Sequence, residues 1–179
     1  RYLYLSEQSE QKLLSALPNS SKEWVDGHIL NNNKQIQNIQ IRLRGDNPEN
    51  WLLEKKSIRI KTKKKQQFGR IRYFEYFPLD VEKYISSKIA KDIGVLIPEP
   101  KLIELYINGQ SDGVFYEKEK VNENFLRRNF IMPVNLYKGE NHTLERFLGL
   151  DVNLFNNPGL WRKSAVFNLE EEKNNSDLE

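Results

Sequence analysis

The chain reads as an α+β domain, an antiparallel sheet with packed helices, and three observations predict it. Short runs alternate apolar and polar residues at period two, as in Ile39, Ile41 and Leu43 against Gln40, Arg42 and Arg44. Segments with helical spacing stand beside these runs, each with a capping residue at its front. Clusters of Gly, Pro and Asn close the segments and punctuate regular structure.

In order, Ser6 caps a first helix that carries Glu7 and Glu10 in its first turns and ends before Pro18. Glu23 to Leu30 is a strand, and the turn "NNNK" follows. Residues 35–44 and 57–63 are alternating strands; the second turns Ile58 and Ile60 inward and Ser57, Arg59, Lys61 and Lys63 outward. If the two strands pair, Arg42, Arg44, Arg59 and Lys61 share one face. "RIRYFEYF" (70–77) is a third, aromatic-rich strand. Asp80 caps the next helix, whose expected buried stripe is Val81, Tyr84, Ile85 and Ile89 and which Gly94 stops. "KLIELYING" and "GVFYEKE" form a hairpin around Asn108-Gly109. A short helix from Asn122 precedes the strand "VNLYK"; "TLERFLGL" reads as a helix and "EEEKNNSDLE" as a polar, frayed end.

Composition narrows the function. Twenty aromatics (Trp 3, Tyr 8, Phe 9) supply a core, so this is not a disordered chain. No apolar run reaches the roughly 18–20 residues of a membrane span. Cysteine is absent, which excludes disulfides and thiolate metal sites. His28 and His142 stand far apart without acidic neighbours at ligand spacing, so no metal site is expected. Charge is segregated. Between Arg42 and Arg72 eleven Lys/Arg face three acids, a balance of +8, which leaves −5 for the rest of a chain with a net charge of +3. Such a dipole attracts something anionic.

A basic hairpin, a helix and a second hairpin also follow one another in a protein-kinase amino-terminal lobe, where strand cations offset nucleotide phosphates. Three stretches sharpen that likeness: "IQIRLRGDNPENW…EKKSIRIK", then "IAKDIGVLIPEPKLIELYINGQSDGVFYEKEKVNENFLRRNF", then "VNLYKGE". Together they resemble the spore-coat protein H (CotH) kinase family, whose members carry an Arg-x-x-Gly-Asn-type segment, a Lys-Lys-Ser-x-Arg-x-Lys strand, and a helix ending in Gly-Val before prolines. The resemblance runs from about Ile36 to Glu140. It divides the chain into an amino-terminal helix and strand (1–35), a CotH-kinase-like lobe (36–140), and a partly irregular extension (141–179) that stops before the expected catalytic half.

The resemblance implies an atypical protein kinase that uses ATP and Mg to phosphorylate Ser or Thr of secreted or coat proteins. It also implies an extracellular, coat or cell-surface setting. Arg42, Arg44 and Gly45 then fall in the phosphate-side loop, and Lys56, Arg59 and Lys61 on the strand facing nucleotide. Glu82 is the helix carboxylate offered to a strand cation, and the segment around Glu119 passes adenine, partly through its backbone. Asp46 stands where Asn is usual and places a negative charge beside the phosphates. The family's catalytic Asp and Asn and its metal-binding Asp-x-Asp are expected beyond residue 179, so no catalytic residue is assigned and the fragment is expected to be inactive alone.

Two other classes fit the same charge pattern. A nucleic-acid-binding module would use the basic face with Tyr73, Phe74, Tyr76 and Phe77 for stacking. A cell-surface scaffold would keep the fold and bind neither nucleotide nor nucleic acid.

Overall fold

The computed structural model describes residues 1–19, 22–30, 35–45, 48–63, 67, 70–131, 134–139, 153 and 156–165. Asp46, Lys64, Lys65, the "NNNK" turn, the helix expected in "TLERFLGL" and the polar end lie outside them. Two compact units divide the chain, Arg1–Lys120 and Val121–Glu179.

The first unit is built on seven strands: β1 (Tyr2–Tyr4), β2 (Val25–Leu30), β3 (Ile36–Leu43), β4 (Ile58–Thr62), β5 (Tyr73–Pro78), β6 (Lys101–Ile107) and β7 (Gln110–Glu119). They close into a barrel in the order β1-β2-β3-β4-β5-β7-β6. Neighbours are antiparallel except at the seam, where β1 runs parallel to β6 with Tyr2 opposite Tyr106 and Leu3 opposite Ile107. Closure leaves no long edge of unpaired backbone groups.

The period-two pattern explains the core. Val25, Ile41, Ile60 and Phe74 lie side by side across four strands and are all buried. Leu43, Ile58 and Tyr76 form the next layer. Gly27 belongs to the inward set for a steric reason: a Cβ there would meet Leu5 Cδ2 at 2.9 Å and the Tyr4 carbonyl oxygen at 3.0 Å. The interior also holds a charge pair. Arg1 donates from Nε to Glu117 Oε2 (2.8 Å) and from Nη2 to Oε1 (2.9 Å), beside the fully buried Tyr76 hydroxyl. Burial first, and Glu117 second, pushes that hydroxyl well above the ordinary tyrosine range.

Helices contribute little to this core. In α1 (Glu7–Leu14) Ser6 Oγ accepts from Ser9 N at 3.1 Å, and Leu13 is its buried residue. In α2 (Glu49–Leu52) Trp51 is buried and donates Nε1–H to the Pro18 carbonyl at 3.0 Å. In α3 (Val81–Asp92) Asp80 Oδ1 accepts from Lys83 N at 3.0 Å, and Gly94 follows at φ +85°.

The expected α+β sheet with packed helices, in the manner of a kinase lobe, is therefore corrected: the unit is a closed, mixed seven-stranded barrel with a few short helices. The stripe expected to bury α3 is corrected with it. Val81, Ile85 and Ile89 are 57%, 50% and 55% exposed, and no residue of the helix is buried. Amphipathic spacing marks which side of a helix is apolar, but the barrel has already filled its core from its own strands.

In the second unit Asn122 Oδ1 caps α4 (Glu123–Arg128) by accepting from Phe125 N at 3.2 Å. Phe125 and Leu126 pack with Ile131 and Leu136. Strands β8 (Leu136–Gly139) and β9 (Trp161–Ala165) pair antiparallel. Among the described residues no helix is long and apolar enough to cross a membrane.

The two architectures differ in what each isoleucine is worth. Ile41→Ala or Ile60→Ala should cost about 2–5 kcal/mol. Ile89→Ala on α3 should cost under about 0.5 kcal/mol. Urea midpoints measure both, and equal losses would contradict a core built mainly by strands.

Candidate anion-binding face

Side chains that alternate with the core point outward and meet across β2, β3, β4, β5 and β7. Arg42 stands opposite Arg59, Gln40 opposite Lys61, and Glu75 opposite both Arg59 and Lys118. Arg44 extends the row, because its amide bonds the Ser57 carbonyl at 2.9 Å just past the end of β3.

At the centre is Glu75, a carboxylate buried on the outer face. Its Oε1 accepts from Arg59 Nε at 2.9 Å and from Arg59 Nη2, and lies 3.2 Å from Arg44 Nε. Burial raises its proton affinity, but Arg44 and Arg59 outweigh this and hold the carboxyl below the ordinary glutamate value. Beside it, Arg44 lies 4.3 Å and the Lys118 ammonium 4.7 Å from the Phe77 ring centre. Phe77 stacks on Tyr116 at 4.7 Å, and burial pushes the Tyr116 hydroxyl up to about 12.

Lys118 is the anomaly of this group. Burial lowers its pKa below the lysine value; Glu75 opposes that shift, whereas Arg44 and Lys83 add to it. Among the described residues no oxygen lies within hydrogen-bonding reach of its ammonium. Three cations surround one carboxylate, so the cluster carries a surplus of two positive charges in a partly desolvated place. That is the charge state of a site for an anion.

A second group lies on the same face. Lys61 Nζ is 4.5 Å and Arg42 Cζ 4.9 Å from the Trp24 ring. Arg42 Nη1 also donates to the Lys22 carbonyl at 3.2 Å. Flanking them, Arg72 lies 5.2 Å and Lys120 5.7 Å from the Tyr73 ring.

The face thus brings together four of the residues singled out from sequence: Arg42, Arg44, Arg59 and Lys61. The others lie elsewhere. Gly45 follows β3 at φ +107°, and a Cβ there would sit 2.5 Å from Asn50 Cγ, so both its backbone conformation and its close packing call for glycine. Lys56 donates to the Leu53 carbonyl at 2.9 Å and ties down its own loop. Glu82 is exposed in the first turn of α3, while the carboxylate that meets the arginines is Glu75. Glu119 ends β7 with a buried side chain on the barrel-interior side of the strand, opposite Phe74. Sequence reasoning missed Glu75 and Lys118. The signal available was a single acid inside "RYFEYF" with the parity of Tyr73 and Phe77.

A family model described as CotH kinase protein matches residues 41–177, well over half of the chain. The chain belongs to the CotH kinase protein family. A search of the curated proteins returned no match. The matched span of this CotH chain starts at Ile41 in β3, so it takes in Arg42, Arg44, Arg59, Lys61, Glu75 and Lys118.

Because the folded-state pKa of Glu75 is depressed, its stabilisation is present at neutral pH and is lost as pH falls below about 4.5 through that lower value. Glu75→Gln should cost about 3 kcal/mol at pH 7. The gap to the parent chain should shrink in acid. Thermal melts from pH 7 to pH 2 measure it, and a gap that stays constant would contradict the ion-pair account.

Proposed function

We propose that this CotH chain is the nucleotide-phosphate-binding part of an atypical protein kinase, with the Glu75 cluster holding the phosphates. The observation that carries the reading is the Lys118 ammonium, half-buried over Phe77 with its donors unfilled among the described residues, inside a group with two surplus positive charges. Phosphate oxygens accept several short, charge-assisted bonds at once, which suits an ammonium beside a guanidinium. In this reading Lys118 and Arg44 donate to the phosphates, and Glu75 keeps Arg44 and Arg59 from turning away. Phe77 and Tyr116 give the cations a dry shelf on which electrostatic attraction is stronger than in water. Glu119, with its side chain inside the barrel, has only its backbone to offer a base.

The family supplies the wider expectation: ATP as donor, Ser or Thr of secreted or coat proteins as acceptor, and a coat or cell-surface setting. Magnesium is part of that expectation, but the described residues do not fit it. No group of three His, Cys, Asp or Glu gathers among them, and Glu75 is held by two arginines. No step is therefore routed through a metal.

The face is a poorer match to nucleic acid. Phe74 and Tyr76 are core residues, Phe77 is buried, and Tyr73 lies near both Arg72 and Lys120. A base needs an open ring to stack on, and these four offer little.

Calorimetric titration with Mg-ATP tests the proposal. The chain should bind in the micromolar to millimolar range, and Lys118→Met, which keeps the apolar stem over Phe77, should weaken binding about tenfold or more. Unchanged binding in Lys118→Met would move the phosphates elsewhere. Absence of binding by the parent chain would leave the scaffold reading ahead. Tighter binding to single-stranded nucleic acid, falling steeply with salt, would favour the nucleic-acid reading.

A further inference from the structure

We propose that Trp24, Arg42, Lys61 and Arg72 form a second anion site on the barrel face, one that takes a phosphomonoester. The residues come from four adjacent parts of the sheet. Trp24 precedes β2, Arg42 lies on β3, Lys61 on β4, and Arg72 immediately precedes β5. Cross-strand register makes them neighbours, with Lys61 opposite both Gln40 and Tyr73, and Arg42 two pairs further along, in the next outward-facing pair.

Lys61 carries the argument. Its ammonium is 4.5 Å from the Trp24 ring centre, the side chain is half-buried, and among the described residues no oxygen lies within hydrogen-bonding reach of it. None of its three N–H donors is filled among the described residues. Arg42 is held near the same ring at 4.9 Å by its bond to the Lys22 carbonyl, so both cations are positioned before any ligand arrives. Arg72 is close enough to repel Lys61, and its Nε donates to the Thr62 carbonyl at 3.4 Å. Among the described residues the acid that acts on Lys61 is Asp26, whose Oδ1 accepts from Gln40 Nε2 at 3.3 Å.

The charge count selects the ligand. Three cations against one acid leave a surplus of two, and a phosphomonoester carries about −1.5 to −2 at pH 7. A carboxylate would neutralise only half of it. Burial, then Arg72 and Arg42, lowers the Lys61 pKa, so a bound dianion removes repulsion the free protein tolerates. The groups differ from those around Glu75, and the site does not rest on the nucleotide reading. The four side chains are partly exposed on the outer face of the barrel, so a phosphate borne on a polypeptide, such as phosphoserine, reaches them as well as free phosphate does.

The test is a calorimetric titration of the whole chain with three probes: a short peptide carrying one phosphoserine, the same peptide unphosphorylated, and inorganic phosphate. The parent chain should bind the phosphopeptide and not its unphosphorylated form. Lys61→Met and Arg72→Gln should each weaken that binding about tenfold, with circular dichroism unchanged. Lys118→Met should leave it within twofold. Phosphopeptide bound more tightly than inorganic phosphate supports the site and assigns its ligand to a phosphorylated chain; equal affinity supports it with free phosphate as ligand. Binding sensitive to Lys118→Met and insensitive to Lys61→Met would overturn the proposal and leave one anion site, at Glu75. Equal binding of both peptides, or of neither, would overturn it as well.

Discussion

A carboxylate buried on the outside of a barrel is an unusual expense, since moving a charge out of water costs several kcal/mol unless close partners offset it. Glu75 has such partners in Arg44 and Arg59, and Lys118 stands across from it on β7. These four come from the end of β3, from β4, from β5 and from β7, so one charge network couples three successive strand junctions. Remove the carboxylate and three cations are left pressed together; remove the cations and a buried anion is left alone. Neither half is stable without the other, and this mutual dependence fixes the outer face as firmly as the isoleucine layers fix the inner one.

A second, partly buried pair ties the seam of the barrel. β1 is only three residues long, yet it pairs with β2 on one side and β6 on the other. Its parallel register with β6 spans two residue pairs, and main-chain bonds such as Tyr106 N to the Arg1 carbonyl at 2.8 Å and Asn108 N to the Leu3 carbonyl at 2.9 Å join the seam. The bidentate contact of Arg1 with Glu117 adds a geometry-specific anchor between that seam and β7. Inside and outside thus use the same device, an arginine locked on a glutamate of a central strand. The inner pair is charge-matched, and the outer cluster is left positive. Only the outer one carries surplus positive charge.

The alternation of Ile39, Ile41 and Leu43 with Arg42 and Arg44 was sufficient to foresee the inner and outer faces of β3, and the same pattern in β4 foresaw the shared basic face. The caps Ser6, Asp80 and Asn122 were equally readable, because an N-cap is a local contact over three residues. What failed was non-local. A three-residue β1 carries no periodicity, and its parallel partner lies more than a hundred residues along the chain. The spacing of Val81, Ile85 and Ile89 told which side of α3 is apolar, but burial depends on what else fills the core. The resemblance implies a helix carboxylate at Glu82, whereas the carboxylate that meets Arg44 and Arg59 is Glu75, on a strand. Lys118 could not be valued before the register of β5 with β7 placed it beside Phe77.

Lys118 over Phe77 and Lys61 over Trp24 repeat one arrangement: an ammonium near an aromatic ring, with an arginine near the same ring and unfilled donors among the described residues. The aromatic quadrupole is attractive enough to hold the cation near the sheet and too weak to satisfy its hydrogen bonds. A carboxylate in that position would satisfy them and close the site; open water would let the side chain wander. The ring does neither, so each lysine loses rotamer freedom during folding rather than during binding, and an arriving anion meets donors already in place. This is why the basic run of the β3–β4 hairpin is better understood through its aromatic neighbours than through its net charge. Lysines spread over open solvent repel one another, whereas the lysines near Phe77 and Trp24 hold their donors in two separate places.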